Sequence, residues 1–432
     1  MKTGSAIAIM VILCISMCAP LVLGSTQASD EWTMFHHDSQ HTGYSTSTGP
    51  MTNQTRWIYT TMGEVDSSPA ISNGIIYFGS KDYNLYAMDA STGNFRWNYS
   101  TGSQIYASPA VADGLVFIGN INGELYALDA KTGAFVWKYA TQNSIVSSAV
   151  VDNGIVYFGS LDHNVYAVVA KTGSFDWKYP TGDGVGTSPA ISGGTLYAGS
   201  IDGKLYALDP VTGSQKWVFT VPSFTNDSLQ LIESSPTVGD GKVFISSEAS
   251  GTVGNDTKYN GVVWALDAGT GKPVWNYSSP YWIYSSAAFA DGKVYVGLFD
   301  GNVTALNSSN GAEIWKYQTY GNVASSPAVT NGVVYVGSGD GNVFALDAAT
   351  GGFIWYYQTY ATVESSPAIA GGVVYVGSRN YNMYAFGSAS SKGSPPSIAL
   401  YTVAIGIPVC AAIVLLVAYS ILLKKRKREH LK

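Results

Sequence analysis

Cysteine is nearly absent: the 432 residues contain three, Cys14, Cys18 and Cys410, all in apolar end segments. The body between them therefore has neither a disulfide nor a thiolate metal site. Charge is scarce, at 12% of residues, and 23 Lys and Arg stand against 29 Asp and Glu with no basic stripe along the body. That balance excludes the electrostatic footprint of a nucleic-acid binder. Helical periodicity is missing as well, and no spacing supports a phosphate loop, a Ser-His-Asp order or a pair of catalytic acids.

What is present is a repeat. Ser67 to Gly102, SSPAISNGIIYFGSKDYNLYAMDASTGNFRWNYSTG, recurs along the chain, and its tryptophan reappears as Trp57, Trp97, Trp137, Trp177, Trp217, Trp275, Trp315 and Trp355, at intervals of 40 residues except for one of 58. A period near 40 made of four short Tyr-, Val- and Ile-rich runs separated by turn dipeptides is the pattern of a four-stranded propeller blade. Length alone suggests two or three domains, but one ring accounts for the body. Inner strands begin at Pro69, Pro109, Ala149, Pro189, Pro236, Ala287, Pro327 and Pro367, which gives eight blades. Each first hairpin ends in a pair suited to positive φ, from Asn73-Gly74 to Gly371-Gly372. The eighth triplet of strands, Ser365 to Phe386, lacks a tryptophan strand, whereas Trp57 has no triplet before it. Arg56–Thr61 is therefore expected to complete blade eight and remove the open edge. The eight indoles are expected to dock between neighbouring sheets, with the Asp and Thr of each preceding turn holding its backbone donors.

The ends differ from the body. Lys2, the apolar run from Ala6 to Leu23 and small residues at Gly24 and Ala28 read as a signal peptide over 1–28. Cys18 is a poor lipidation site because Met17 precedes it. Residues 390–397 read as a linker, 398–423 as a transmembrane helix of sufficient length, and the basic tail 424–432 as the cytoplasmic side. These features point to a single-pass plasma-membrane protein with its ring outside the cell. Sequons at Asn53, Asn98, Asn226, Asn255, Asn276, Asn302 and Asn307 are compatible with export.

The pattern Asp-x-x-Thr-Gly-x-x-x-Trp, from Asp89 to Trp97 and again in most blades, resembles the tryptophan-docking motif of the eight-bladed quinoprotein-type (PQQ-like) propellers. The likeness covers about Asp30 to Phe386. Departures are Val169 for the aspartate, Asn307 and Asn310 for Asp and Thr, and the missing motif in blade eight. The resemblance implies an all-β fold and two classes of function: a quinone- and calcium-dependent dehydrogenase, or a non-enzymatic assembly scaffold. The dehydrogenases usually clamp their quinone under adjacent cysteines, which this body lacks, so neither cofactor is expected.

Candidate sites lie where the repeat is irregular. Blade five carries insertions at Val221 to Leu231 and Ser247 to Asn260, expected to rise side by side as loops on one face. Phe224, Asn226, Asp227, Glu248, Asn255, Tyr259, Tyr281 and Trp282 are the candidate contacts for a protein or glycan partner. The same face should ring the channel mouth with Asp66, Tyr106, Val146, Gly186, Glu233, Tyr284, Ala324 and Glu364, and Asp66 and Glu364 are placed to share a cation. His36, His37, Asp38 and His41 form the histidine cluster, with His37 and His41 as weak metal candidates. That stretch also resembles a leader that straps the ring in related proteins.

Overall fold

The computed structural model describes residues 31–223, 229–253 and 256–387, with backbone alone at 229, 251–253 and 256–259. Eight antiparallel sheets succeed one another along the chain, and their inner strands touch in sequence until the eighth meets the first. Blade one shows the plan: Ala70–Ser72 innermost, then Ile75–Gly79, Asn84–Asp89 and Phe95–Ser100 outermost. Second and third strands are buried on both faces because each sheet lies between two others, so they read as continuous apolar runs. Outer strands alternate, with the tryptophan inward and its neighbours in solvent. Seven of the first hairpins have both turn residues at positive φ; in blade seven only Gly332 does.

Blade eight is closed as the counting mismatch requires. Thr55–Thr60 pairs antiparallel with Asn382–Phe386, outside Val373–Gly377 and Ala368–Ala370. The segments at 1–28, 390–397, 398–423 and 424–432 lie outside the described residues. Among those described, no helix is long and apolar enough to cross a membrane.

Each docking indole bridges two blades. Trp97 Nε1 donates to the Ala130 carbonyl of the next blade at 3.2 Å, and Trp57, Trp137, Trp177, Trp217, Trp275 and Trp315 repeat the bond to Ala90, Ala170, Pro210, Ala268, Ser308 and Ala348. The motif glycine lets the next turn lie flat on the ring: Gly93 has φ +71°, and a Cβ there would sit 2.7 Å from the Trp57 indole. Asp89 Oδ1 accepts from the backbone of Ser91 and Thr92 and from the Thr92 hydroxyl. Blade eight lacks this turn, and Trp355 instead donates to the Pro50 carbonyl of the N-terminal segment at 2.9 Å. In six blades a second-strand tyrosine shares the carbonyl with the indole, as Tyr77 does at Ala130.

Two further belts tie the ring around its axis. The second residue of each inner Ser-Ser, Ala-Ser or Thr-Ser pair is serine, and its amide donates to the equivalent hydroxyl one blade on: Ser68, Ser108, Ser148, Ser188, Ser235, Ser286, Ser326 and Ser366, which returns to Ser68 at 2.9 Å. The other belt is the N-terminal segment, which runs round the channel along the inner strands in ring order. Carbonyls of Trp32, Thr33, Ser39, Gln40, Thr42 and Gly43 accept from Ile71, Val111, Ile191, Val238, Phe289 and Val329, the central residues of six of the eight inner strands. Those amides face the channel and need partners. Glu31 also holds the first hairpin turn through Ser72 and Asn73, so the strap lies toward the first-hairpin face and leaves the opposite mouth for other chemistry.

Candidate functional site at the channel mouth

The mouth opposite the strap has two tiers that follow from the repeat. The first holds the eight residues ahead of the inner serine pairs. The second lies two residues after the amide that closes each second strand; this amide bonds Ser67 from Gly79 in blade one, Ser234 from Ser246 in blade five and Ser365 from Gly377 in blade eight. Second-tier residues are therefore Lys81, Ile121, Leu161, Ile201, Glu248, Phe299, Gly339 and Arg379.

In blades eight and one the tiers neutralise each other. Arg379 stands between the two acids expected to share a cation: Nε and Nη2 each lie 3.2 Å from an Asp66 oxygen, and Nη2 is 2.5 Å from Glu364 Oε2. Lys81 Nζ reaches Asp66 at 2.7 Å and Glu64 at 2.6 Å, and it sits 4.7 Å from the centre of the Tyr106 ring. Asp66 and Glu364 are thus neutralised by side chains of the protein, and the metal pairing considered for them gives way to a guanidinium. Burial opposes the charge on Lys81, but its hydrogen bonds to Asp66 and Glu64 prevail and hold its pKa above the usual value. Burial and the nearby Asp66 charge push Glu364 up.

Blade five is the opposite case. Glu248 occupies the register of Lys81 and Arg379, is 2% exposed, and the one group its carboxyl meets is the Glu233 carboxyl, another acid in place of a basic partner. Burial first, then the neighbouring Glu233 charge, pushes its pKa up to about 9. Partial desolvation also raises Glu233, although its side chain is exposed at the mouth. Tyr284 stands beside both acids, and burial followed by their charges raises it to about 12. Tyr284 packs edge-on to Phe299 at 5.4 Å and to Trp282 at 5.9 Å, and Trp282 lies 6.1 Å from Phe299.

The blade-five insertions do meet, but as sheet where loops were expected. Lys242–Val253 and Asp256–Asp267 form one long hairpin, and Leu229–Leu231 adds a fifth strand against Glu248–Ser250. Of the proposed contacts, Glu248 is buried at the hairpin's base, Tyr281 is 49% exposed and Trp282 belongs to the aromatic cluster. Tyr259 is placed by its backbone opposite Ser250. Phe224, Asn226, Asp227 and Asn255 lie outside the described residues.

The histidine cluster is part of the strap. His41 is fully buried and donates from Nδ1 to the Pro236 carbonyl at 3.1 Å, and His36 does the same to the His41 carbonyl at 3.2 Å. Burial lowers the pKa of His41 to about 4 and, with the His41 charge, that of His36 to about 3. His37 rests 3.4 Å from Asp38, whose other oxygen accepts from the Gln40 and Thr42 amides. Both weak metal candidates are therefore positioned by strap contacts. Among the described residues no group of three or more His, Cys, Asp or Glu is arranged to hold a metal. An open groove of about 570 Å³ lies at the outer edge of blade seven beside Asn53, lined by Phe353, Tyr356 and Tyr360 among others, and has no charged residue.

A family model for outer membrane protein assembly factor BamB matches residues 39–108, 102–264 and 251–397. The chain belongs to the BamB family. Its fold is shared by BamB from Moraxella catarrhalis, at 21% identity over 78% of this chain and 99% of that one with a TM-score of 0.65. Quinohemoprotein alcohol dehydrogenase from Comamonas testosteroni matches at 17% identity, covering 85% and 82%, with a TM-score of 0.66. A europium-containing methanol dehydrogenase matches at 15% identity, covering 83% and 98%, with a TM-score of 0.66. Identities at this level establish the fold alone. No curated protein matches the sequence. The dehydrogenase neighbours raise the question of a quinone with calcium, and the residues do not fit it: the cysteine clamp is missing, the acids of blades eight and one are bound to Arg379 and Lys81, and the remaining mouth acids are two.

Proposed function

We propose that this BamB-family protein is a membrane-anchored scaffold that displays its propeller outside the cell and binds a protein or glycan through the mouth face at blade five. The observation that carries this reading is the extended hairpin with its added strand, which among the described residues makes blade five the one five-stranded blade. A rigid sheet raised over a channel mouth offers a preorganised surface. The apolar run 398–423 and the basic tail 424–432 support the anchor, and the run before Gly24 supports export. Replacing residues 249–260 by an Asn-Gly turn should abolish co-purification of the partner from cross-linked native membranes while leaving the melting temperature nearly unchanged. Retention of the partner by that variant would refute the reading.

The alternative is a quinone- and calcium-dependent dehydrogenase with an atypical site, supported by fold likeness alone. Pyrroloquinoline quinone and calcium would then jointly raise the melting temperature in a saturable way.

A further inference from the structure

The repeat register makes blade five a charge-reversed copy of blade one. In blade one, a first-tier acid (Asp66), a second-tier lysine (Lys81) and a first-tier tyrosine of the next blade (Tyr106) form a closed set, with the ammonium held by carboxylates and lying over the ring. In blade five the corresponding residues are Glu233, Glu248 and Tyr284. The acid and the ring are kept, but the lysine position is a second glutamate. Its side chain is almost wholly buried, its carboxyl shares a proton contact with Glu233, and no basic side chain of the described residues pairs with either acid. Burying a carboxyl in this way is unfavourable unless something compensates.

We propose that Glu233, Glu248 and Tyr284, flanked by Trp282 and Phe299, form a receptor for an organic ammonium group supplied from outside the chain, such as the side chain of a partner's lysine. Two carboxyls give the charge, and the aromatic wall gives π faces to a desolvated cation. The same wall disfavours calcium, which takes six to eight oxygen ligands. The exposure of Tyr281 and Phe299, at 49% and 40%, places the aromatic edge in reach of solvent. The inference deepens the scaffold reading and rests on it only for the source of the ammonium group.

The test uses the full chain in detergent, titrated calorimetrically with N-acetyl-lysine methylamide, methylammonium and calcium chloride in separate arms. The lysine amide should bind the wild type, and Glu248→Gln should weaken it about tenfold or more. Glu248→Lys should remove binding while raising the melting temperature, because it restores the blade-one set. Ammonium binding near pH 7 should also release protons, visible as a dependence of the heat on the buffer. Glu248 faces Glu233 and Tyr284 and has a pKa of about 9, so it must ionise to receive the cation. A purely structural glutamate gives no such release. If methylammonium binds as tightly as the lysine amide, the site takes ammonium ions and the occupant is a free amine. Equal binding by wild type and Glu248→Gln, tighter binding of calcium than of either amine, or no binding by any probe overturns the proposal. Loss of the partner on hairpin trimming together with its retention by Glu248→Gln would sink the ammonium site and leave the scaffold standing.

Discussion

The two sides of one channel mouth handle buried charge in opposite ways. At the seam between blades eight and one, Arg379 and Lys81 bind Glu64, Asp66 and Glu364 within the chain, so the acids are fully engaged. Across the ring, at blade five, two acids share an aromatic wall, and among the described residues no basic side chain pairs with them. The seam is where the chain must close on itself, and its charges serve stability. Blade five closes through ordinary connections, and its two acids, set against each other, reduce stability unless a cationic ligand arrives. An identical repeat position has thus been put to structural use on one side and left open to binding on the other.

The largest expected effect comes from the seam. Deleting residues 55–60 removes the outer strand of blade eight and Trp57, so the melting temperature should collapse or folding fail, whereas trimming the blade-five hairpin should barely move it. Equal sensitivity of the two regions in a thermal scan would erase the distinction.

Acid should loosen the strap next. His36 and His41 are neutral in the fold, with pKa values of about 3 and 4, while the unfolded chain binds their protons below about 6.5. The unfolded state therefore gains protons as pH falls from 6.5 toward 4, and stability should drop by up to about 1.4 kcal/mol per pH unit for each histidine. Replacing both by Gln should flatten that limb of the pH profile measured by denaturant unfolding.

Smaller again is Lys81→Ala, expected to cost about 1–3 kcal/mol because it leaves Asp66, 7% exposed, with Arg379 alone. The smallest effect has the reverse sign. Glu248→Gln should stabilise the empty protein by about 1 kcal/mol near pH 5, through removal of a group whose pKa is raised. In the wild type the unfolded chain releases this proton above about 4.5 and the folded chain near 9, so the penalty grows as pH rises between them. A Glu248→Gln gain independent of pH over that window would break the contrast.

Much of this was legible in the sequence. The tryptophan spacing and the missing partner of Trp57 specified blade number and closure, because both depend on counting a strong period. The leader's role as a strap followed from resemblance, and the structure adds that its carbonyls serve six inner strands. The second-strand tyrosines, such as Tyr77 and Tyr375, were visible as apolar pattern only, since their shared carbonyl lies in another blade. The blade-five insertion read as loop because it interrupts the repeat, whereas its two arms pair with each other to extend the second and third strands and 229–231 adds a short strand beside them. Lys81, Glu248 and Arg379 were missed as a set. Superposing the repeats residue by residue shows their common register, but their opposite roles depend on which acids face them across a blade boundary.

The strand that completes blade eight has a consequence in time. Thr60 pairs with Asn382, and Thr55 with Phe386, so the first strand synthesised is the last to find its neighbour. At synthesis rates of roughly 5–20 residues per second, it waits on the order of 15–60 s while seven blades form behind it. Throughout that interval, the strand Thr55–Thr60, which carries Trp57, is without its partner strand, and it must be kept from pairing with another chain before its own ring is ready.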